Sequence, residues 1–239
     1  MVVFPTGASV AASTVLTVPG SKYSQGSSVA TDSTGFWVAL EEWPNLSAAV
    51  GSIKVAHAAY NATTRAWSWN TPQTISPSFF TDMPSPLPGF RFRTNSFPAA
   101  AVVAGGPQVV WSAYTNGAGP GRVYRWSGGA ATRVSDSGGD QFFPSIATDG
   151  SIAWSQVNAG TASSDQWRSS GGTAAKVSTA SWFPASDTFF SGQFIGDYNE
   201  VVPGHPIWTD IRGPNPSYPG YEMDAIAGPS VRRVEKKAS

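Results

Sequence analysis

Residues 143–155 read FPSIATDGSIAWS, and parts of this string recur along the chain. Its middle, SIATDG, has a counterpart in SVATDS at residues 28–33, and its start, FPS, has a counterpart in FPA at residues 97–99. A short apolar run that ends in a turn-forming Asp or Gly is the pattern of a strand followed by a tight turn. The recurrence of this unit indicates a repeat architecture.

A second strand follows each turn and ends on Trp and a small hydroxyl residue: Val109–Ser112, Ile152–Ser155 and Ile207–Thr209, with a looser version at Phe36–Leu40. Third strands are expected at Ile53–His57, Arg122–Trp126, Ser164–Arg168 and Tyr221–Ala225. Fourth strands are expected at Trp67–Ile75, Ala131–Ser135, Ala174–Ser178 and Val231–Val234. The sequence therefore contains four units of four short strands each.

Short strands repeated every 40 to 50 residues or so are typical of a β-propeller, in which each unit is one four-stranded antiparallel blade. The alternative is a β-sandwich, but a sandwich does not reuse the same opening and Trp-bearing strands in every unit. We predict an all-β propeller domain over residues 1–239, with four visible blades that either form the whole ring or part of a six-bladed one. The blades are expected near 25–76, 96–135, 141–180 and 193–236, with an inserted loop at 77–95.

Composition excludes several classes of function. The 239 residues have a formal net charge of zero and only 13% charged residues, so the basic surface that binds nucleic acid is not expected. The chain has no Cys and two His, which argues against a metal site, and we expect no cofactor. No apolar run approaches the roughly 20 residues of a membrane span. The composition fits a secreted, glycan-directed domain, although no signal peptide is visible.

Several segments resemble the bacterial sialidase-like propellers, the BNR-repeat or Asp-box family. The resemblance lies in residues 93–98 (RTNSFP), 140–147 (DQFFPSIA), 194–199 (FIGDYN) and 206–212 (PIWTDIR). It implies a six-bladed ring, with further blades from a longer chain, and a glycan ligand. If the protein is an enzyme, the resemblance implies a sialidase-type glycoside hydrolase with an arginine triad, an aspartate acid/base and a tyrosine nucleophile.

The family's Phe-Arg-Ile-Pro string does not occur, and the nearest string is FRFR at residues 90–93, inside the inserted loop. Hydrolysis of an anionic sugar needs a fixed arginine clamp, so this departure favours binding over catalysis. Three interpretations stay open: a glycan-directed propeller that binds or hydrolyses its ligand, a non-catalytic module that binds glycans or proteins, and an inactive fragment of a longer propeller.

Asp197 and Tyr198 are the candidate catalytic residues. They interrupt an otherwise apolar opening strand, where burial would raise the pKa of the Asp197 carboxyl and suit it to general acid catalysis. Tyr198 would then be the nucleophile or a hydroxyl that binds sugar. The alternative is structural: Asp197 accepts backbone N–H bonds in a turn, and Tyr198 packs between blades.

Two pairs are candidates for substrate binding. Asp210 and Arg212 lie two residues apart on a strand and therefore on one face, where the guanidinium could bind a substrate carboxylate or form a structural ion pair. Arg91 and Arg93 share this spacing in the insertion and could bind a sialate or uronate, or could be solvated.

The remaining carboxylates and Trp residues divide by position. Asp140, Asp149, Glu200 and Asp224 are further carboxylates for a glycosidase, but Asp32 and Asp149 occupy equivalent turns and are expected to be structural. The recurring Trp111, Trp154 and Trp208 should pack between blades. Trp43, Trp69 and Trp182 lie outside the repeat, so we expect them to be available to a ligand.

Overall fold

The computed structural model describes residues 18–19, 23–45, 51–78, 80–136, 138–186, 192–193, 195–196 and 199–210, and the short strands at 2–3, 14–15, 214–215, 218–221, 224–227 and 232–233. Nearly all of the regular structure in these residues is β. The one helical element among them is a single 3-10 turn at Pro184–Ser186. Within the same residues, no helix has the length and hydrophobicity needed to cross a membrane.

The first blade follows a small two-stranded sheet of β1 (Val2–Val3) and β2 (Thr14–Val15). Its four strands pair in chain order, each antiparallel to the next: β3 (Tyr23–Thr31), β4 (Gly35–Trp43), β5 (Ser52–Asn61) and β6 (Ala66–Trp69). The two-residue strand β7 (Gln73–Thr74) continues the outer edge by pairing with β5.

The second blade begins with a strand from the inserted loop, β8 (Phe80–Thr81). The four blade strands are β9 (Ala99–Val103), β10 (Gly106–Thr115), β11 (Ala118–Trp126) and β12 (Thr132–Arg133). β8 pairs with the end of β10, beyond the part of β10 that pairs with β9. The insertion therefore adds a short strand to this blade, whereas the sequence predicted only a loop at this place.

The third blade is the most regular: β13 (Gln141–Ile146), β14 (Ile152–Val157), β15 (Ser164–Ser170) and β16 (Thr173–Lys176). The fourth contains β17 (Glu200–Val202), β18 (His205–Asp210), β21 (Asp224–Ala227) and β22 (Arg232–Arg233). A separate pair, β19 (Pro214–Asn215) and β20 (Tyr218–Tyr221), lies between β18 and β21 in the chain. The third strand of this blade therefore begins at Asp224, three residues later than predicted, because Tyr221 belongs to the other pair.

Apolar side chains of adjacent blades form the core. One cluster joins Ile53 and Val55 of the first blade to Trp111 and Trp126 of the second. Another joins Val110 and Val123 on the opposite face of the second blade to Trp154 of the third. Trp111, Trp154 and Trp208 are at most 1% exposed, as expected for residues that pack between blades.

Successive four-stranded antiparallel sheets with strands in chain order, packed face to face, confirm the predicted propeller blades. Their first strands, which we call the inner strands (β3, β9, β13 and β17), lie next to one another in chain order. The six-bladed ring and the blade boundaries stay predictions.

The insertion packs over the blade ends through a third apolar cluster. Phe92 is fully buried and its ring lies 5.4 Å from that of Phe142 in the third blade. Leu87 and Met83 belong to the same cluster. The neck of the insertion is closed by a hydrogen bond from the Met83 N–H to Ser96 Oγ, 2.9 Å, and by one from the Thr94 hydroxyl to the Pro84 carbonyl. The apolar face of this segment is therefore a cover for the blades.

Candidate functional site

All four inner strands contribute residues to the wall of one cavity of about 370 Å³, which we call the axial cavity. Its wall consists of Gly26–Val29 of the first blade, Asn95 and Phe97–Ala100 of the second, Phe143–Ile146 of the third, and Asn199 and Glu200 of the fourth. An inner strand is the edge of its sheet, so it presents backbone N–H and C=O groups as well as side chains. The cavity is therefore lined mainly by polar groups.

Strand register identifies equivalent positions in this wall. Ser28 pairs with Ala39, Ala99 with Val110, Ser145 with Ala153, and Glu200 with Ile207, and in the last three blades the next residue of the second strand is the recurring Trp. The equivalent inner-strand residues are thus Ser28, Ala99, Ser145 and Glu200, and all four line the axial cavity. The repeat places these four residues at the same level of the cavity wall, whereas the chemistry of their side chains differs from blade to blade.

Two of the inner strands bulge where they enter the cavity. The pairing of β3 with β4 shifts between Gln25 and Ser28, and that of β13 with β14 shifts between Phe142 and Ser145. Gly26 and Phe143 occupy equivalent places in these bulges, with φ of 61° and 51°. A positive φ costs little for Gly but strains Phe, and such strain is concentrated at functional sites.

Asn199 connects the fourth blade to the bulge of the third. Its amide Nδ2 donates to the carbonyl oxygen of Phe143 at 3.2 Å and to Ser155 Oγ at 2.9 Å. The Asn199 side chain is buried, so these bonds hold both the strained carbonyl and the cavity wall in place.

The two equivalent serines differ in their hydrogen bonding. Ser28 Oγ accepts a hydrogen bond of 3.0 Å from the Ala100 N–H, which joins the first and second inner strands. Ser145 is 5% exposed, and its Oγ has no hydrogen-bond partner among the described residues. A buried hydroxyl without a partner carries a desolvation cost that a ligand can relieve.

The insertion supplies one side of the cavity. From Arg91 to Phe97 burial alternates: Phe92, Thr94 and Ser96 are buried, whereas Arg91 and Arg93 are exposed and Asn95 and Phe97 are partly exposed. Alternate residues of an extended segment share a face. Arg91 and Arg93 therefore continue, away from the cavity, the face on which Asn95 and Phe97 form the wall.

The other predicted site residues cannot be placed in this geometry. Asp197, Tyr198 and Arg212 lie outside the described residues, and of Asp210 only the strand position is described. The roles of Asp197, Tyr198, Asp210 and Arg212 therefore stay predictions. Asp197 and Tyr198 directly precede Asn199 and Glu200 in the chain, and both of the latter line the cavity.

A pair of carboxyl groups, which sequence reasoning missed, lies between the first blade and the insertion; Glu41 is buried and Asp82 is partly exposed. Glu41 is 1% exposed, and burial, followed by the charge and hydrogen bond of Asp82, raises its pKa to about 9. Asp82 accepts hydrogen bonds from Trp43 Nε1 at 2.7 Å and from the Gly51 N–H at 3.2 Å. Glu41 is therefore protonated at neutral pH and donates a hydrogen bond to Asp82.

Asp32 and Asp149 are structural, as predicted. Asp32 accepts hydrogen bonds from the N–H groups of Thr34 and Gly35 and from Trp37 Nε1, at 2.7 to 2.9 Å. Burial alone would raise its pKa, but these bonds outweigh burial and hold the pKa well below its usual range. Asp149 accepts from Ser151 in the equivalent turn, and its pKa is also lowered.

Asp140, another candidate carboxylate, also stabilises the fold. It accepts a 2.6 Å hydrogen bond from the Gly121 N–H and a hydrogen bond from the hydroxyl of Tyr114. Burial, followed by this contact with Asp140, raises the pKa of Tyr114 above its usual range. Neither side chain lines the axial cavity.

Of the three Trp residues outside the repeat, Trp182 is not available to a ligand, contrary to the prediction, whereas Trp43 and Trp69 are partly exposed. Trp182 is 1% exposed because it packs with Phe142 and Ile195 under the insertion. Trp43 donates to Asp82, and Trp69 packs edge-on against Phe36, with 5.7 Å between the ring centroids. Among the described residues, no group of three metal-ligating side chains lies close enough together to hold an ion.

No protein-family model matches this sequence. No curated protein matches it either. Solved structures do align with the chain. One of them is described as from the GH130 family of mannoside phosphorylases, which contains glycoside hydrolases that target β-1,2 mannosidic linkages in Candida mannan. It is 12% identical to this chain, with a TM-score of 0.42, and the match covers 85% of this chain and 66% of that one.

A glycosyl hydrolase from Bacteroides ovatus is 10% identical, with a TM-score of 0.43, and the match covers 86% of this chain and 66% of that one. TolB from Acinetobacter baumannii is 12% identical, with a TM-score of 0.34, and the match covers 84% of this chain and 51% of that one. The chain thus spans about two thirds of the first two structures and half of the third. The fold and the site are assigned from the strand pairing and contacts described above.

Proposed function

We propose that this protein binds a carbohydrate in the axial cavity. The observation that carries the proposal is the Ser145 hydroxyl, which is buried in the cavity wall without a hydrogen-bond partner among the described residues. A ligand hydroxyl can both donate to this oxygen and accept from it, and a carbohydrate carries several hydroxyls. Binding would therefore give the Ser145 hydroxyl a partner.

The rest of the wall fits the same ligand class. The cavity volume of about 370 Å³ lies in the usual range for small-molecule sites. Asn95 and Glu200 add an amide and a carboxylate, and the inner strands add backbone groups, so several sugar hydroxyls can be paired at once. Phe97, which is partly exposed, supplies apolar ring surface for the C–H face of a sugar.

Hydrolysis is a second candidate, favoured by the position of Glu200. A glycosidase needs two carboxyl groups about 5 to 10 Å apart, and Glu200 supplies one in the wall. Asp197, three residues earlier, is the proposed second carboxyl, and Tyr198 the proposed nucleophile. An anionic sugar such as a sialate or uronate would be attracted to the two guanidinium groups of Arg91 and Arg93. A secreted location belongs to the same proposal.

The binding proposal is tested by titrating the protein with a panel of monosaccharides and methyl glycosides in a calorimeter, and by repeating the titration with Ser145→Ala. We expect binding that the substitution weakens roughly tenfold, the effect of losing one or two good hydrogen bonds. Absence of binding across the panel, or unchanged affinity in Ser145→Ala, would overturn the proposal.

Catalysis is tested separately with fluorogenic glycosides, including a sialoside. If the protein hydrolyses one of them, Asp197→Asn and Glu200→Gln should each abolish turnover, while Asp136→Asn, at an exposed carboxylate outside the wall, should retain it. Turnover that survives Asp197→Asn would contradict its assignment as acid/base.

A further inference from the structure

A second cavity, of about 460 Å³, lies at the opposite ends of the inner strands. Its wall is formed where these strands end, by Val29–Thr31, Ala100–Val102, Ile146–Thr148 and Val201–Pro203. Apart from Thr31 and Thr148, every side chain in this wall is apolar. Its chemistry is therefore opposite to that of the axial cavity.

The two cavities adjoin. Val29, Ala100 and Ile146 belong to both walls, one from each of the first three blades. In each of these blades, the shared residue lies between the residues that line only the axial cavity and those that line only the second cavity. A ligand that fills the axial cavity therefore contacts residues that also line the second cavity.

Two valines of the second cavity are unusually exposed. Val29 is 47% exposed and Val202 is 49% exposed, and both belong to the small set of large apolar side chains that are exposed in the described part of the chain. They come from the first and the fourth blade and line the same space. Apolar surface that is exposed within a concave site marks a place where an apolar group binds.

We propose that the ligand is an amphiphilic glycoside, with its sugar in the axial cavity and an alkyl aglycone in the second cavity. This inference rests on the proposed function, because the sugar site determines where the aglycone begins. Contact with Val29, Ile146 and Val202 removes apolar surface of both ligand and protein from water, and each buried methylene strengthens binding roughly three- to fourfold.

The experiment compares the affinities of n-octyl and methyl glycosides of glucose, galactose and mannose, by calorimetry below the concentration at which the octyl compounds form micelles. We expect the octyl glycoside of whichever sugar binds to be at least roughly tenfold tighter than its methyl counterpart. Val202→Ser should reduce this ratio. Phe183→Ser, at a side chain that is also half exposed but outside both walls, should leave the ratio unchanged.

The outcomes separate the two proposals. A ratio above ten that falls in Val202→Ser supports the aglycone site. Equal affinities of methyl and octyl glycosides, or a ratio that Phe183→Ser lowers as much as Val202→Ser does, would overturn this inference and leave the sugar site intact. Failure of every methyl and octyl glycoside to bind would overturn both.

Discussion

Glu41 donates a hydrogen bond from its carboxyl group to the carboxylate of Asp82, and this contact joins the first blade to the insertion that forms one side of the axial cavity. The proton lies on Glu41 because that side chain is buried and has its other oxygen, Oε1, without a partner among the described residues. The Asp82 carboxyl also accepts hydrogen bonds from Trp43 Nε1 and from the Gly51 N–H.

This carboxyl pair predicts that the protein becomes less stable as the pH rises. The pKa of Glu41 is raised from 4.5 to about 9, so between these values the folded chain holds a proton that the unfolded chain has lost. The stabilisation is complete below about pH 4.5 and declines up to about pH 9, by at most about 1.4 kcal/mol per pH unit. Glu41→Gln keeps a neutral donor and should flatten the decline.

Chemical denaturation of the wild type and Glu41→Gln between pH 5 and pH 9 measures this slope. Glu42→Gln, which removes a neighbouring carboxylate paired with Lys54, is the matched control and should retain the wild-type slope. Identical slopes in the wild type and Glu41→Gln would refute the protonation of Glu41.

Gly26→Ala should be strongly destabilising. A Cβ at this position would lie 2.2 Å from the ring of Phe97, and the φ of +61° adds backbone strain. Gly171 has a φ of +60°, and a Cβ added there would have no neighbour within 4 Å, so Gly171→Ala measures the strain alone, about 1 to 2 kcal/mol. We expect Gly26→Ala to cost clearly more. If urea denaturation showed the same loss of unfolding free energy in Gly26→Ala and Gly171→Ala, the Phe97 ring would have moved aside without a cost in stability.

Asp32→Asn should remove part of the acid sensitivity of the fold. Because the pKa of Asp32 is lowered, its contribution to stability is present above the pKa of the unfolded chain and is lost as the pH falls towards the folded value. The substitution should lower the melting temperature at pH 7 by roughly 2 to 4 °C and by less at pH 3. Asp136→Asn, at a largely exposed carboxylate, should have little effect at either pH, and an Asp32→Asn deficit that grows on acidification would contradict the assignment.

Ser145→Ala and Ser155→Ala should have opposite effects on stability. Removing the Ser145 hydroxyl removes a buried group without a partner among the described residues, so stability should stay constant or rise. Ser155 Oγ donates to Gln166 and accepts from Asn199, so its loss should cost about 1 to 3 kcal/mol. Thermal melts of both variants check this, and a clear loss of stability in Ser145→Ala would show that its hydroxyl has a structural role.

The repeated strings predicted the blades because the same physical requirements recur in each one. A Trp that fills the space between two sheets and an Asp that accepts turn N–H groups are needed in several blades, so they repeat in the sequence. The inserted strand β8 was missed because its two residues, Phe80 and Thr81, are too few to show the alternation of apolar and polar residues that identifies a strand.

The site was harder to predict because its parts come from different blades. Glu41 precedes Glu42 in the sequence and resembles a solvated pair, but the strand turns Glu41 towards Asp82, forty-one residues away, and Glu42 towards Lys54. Ser145 lies inside the string that decided the fold. The sequence signal for a site at Ser145 was the variation at its position in the repeat. That position holds Ser, Ala, Ser and Glu in the four blades, while the position that follows it is always apolar.

The closed neck of the insertion, where Met83 meets Ser96 and Pro84 meets Thr94, separates two evolutionary tasks. Between these contacts, Leu87 and Phe92 are buried against the blades, whereas Arg91 and Arg93 are exposed, so substitutions at the two arginines leave the distance between the ends of the insertion and the register of the second blade unchanged. These exposed positions can thus diversify towards new ligands while the blades, whose packing tolerates little change, remain as they are.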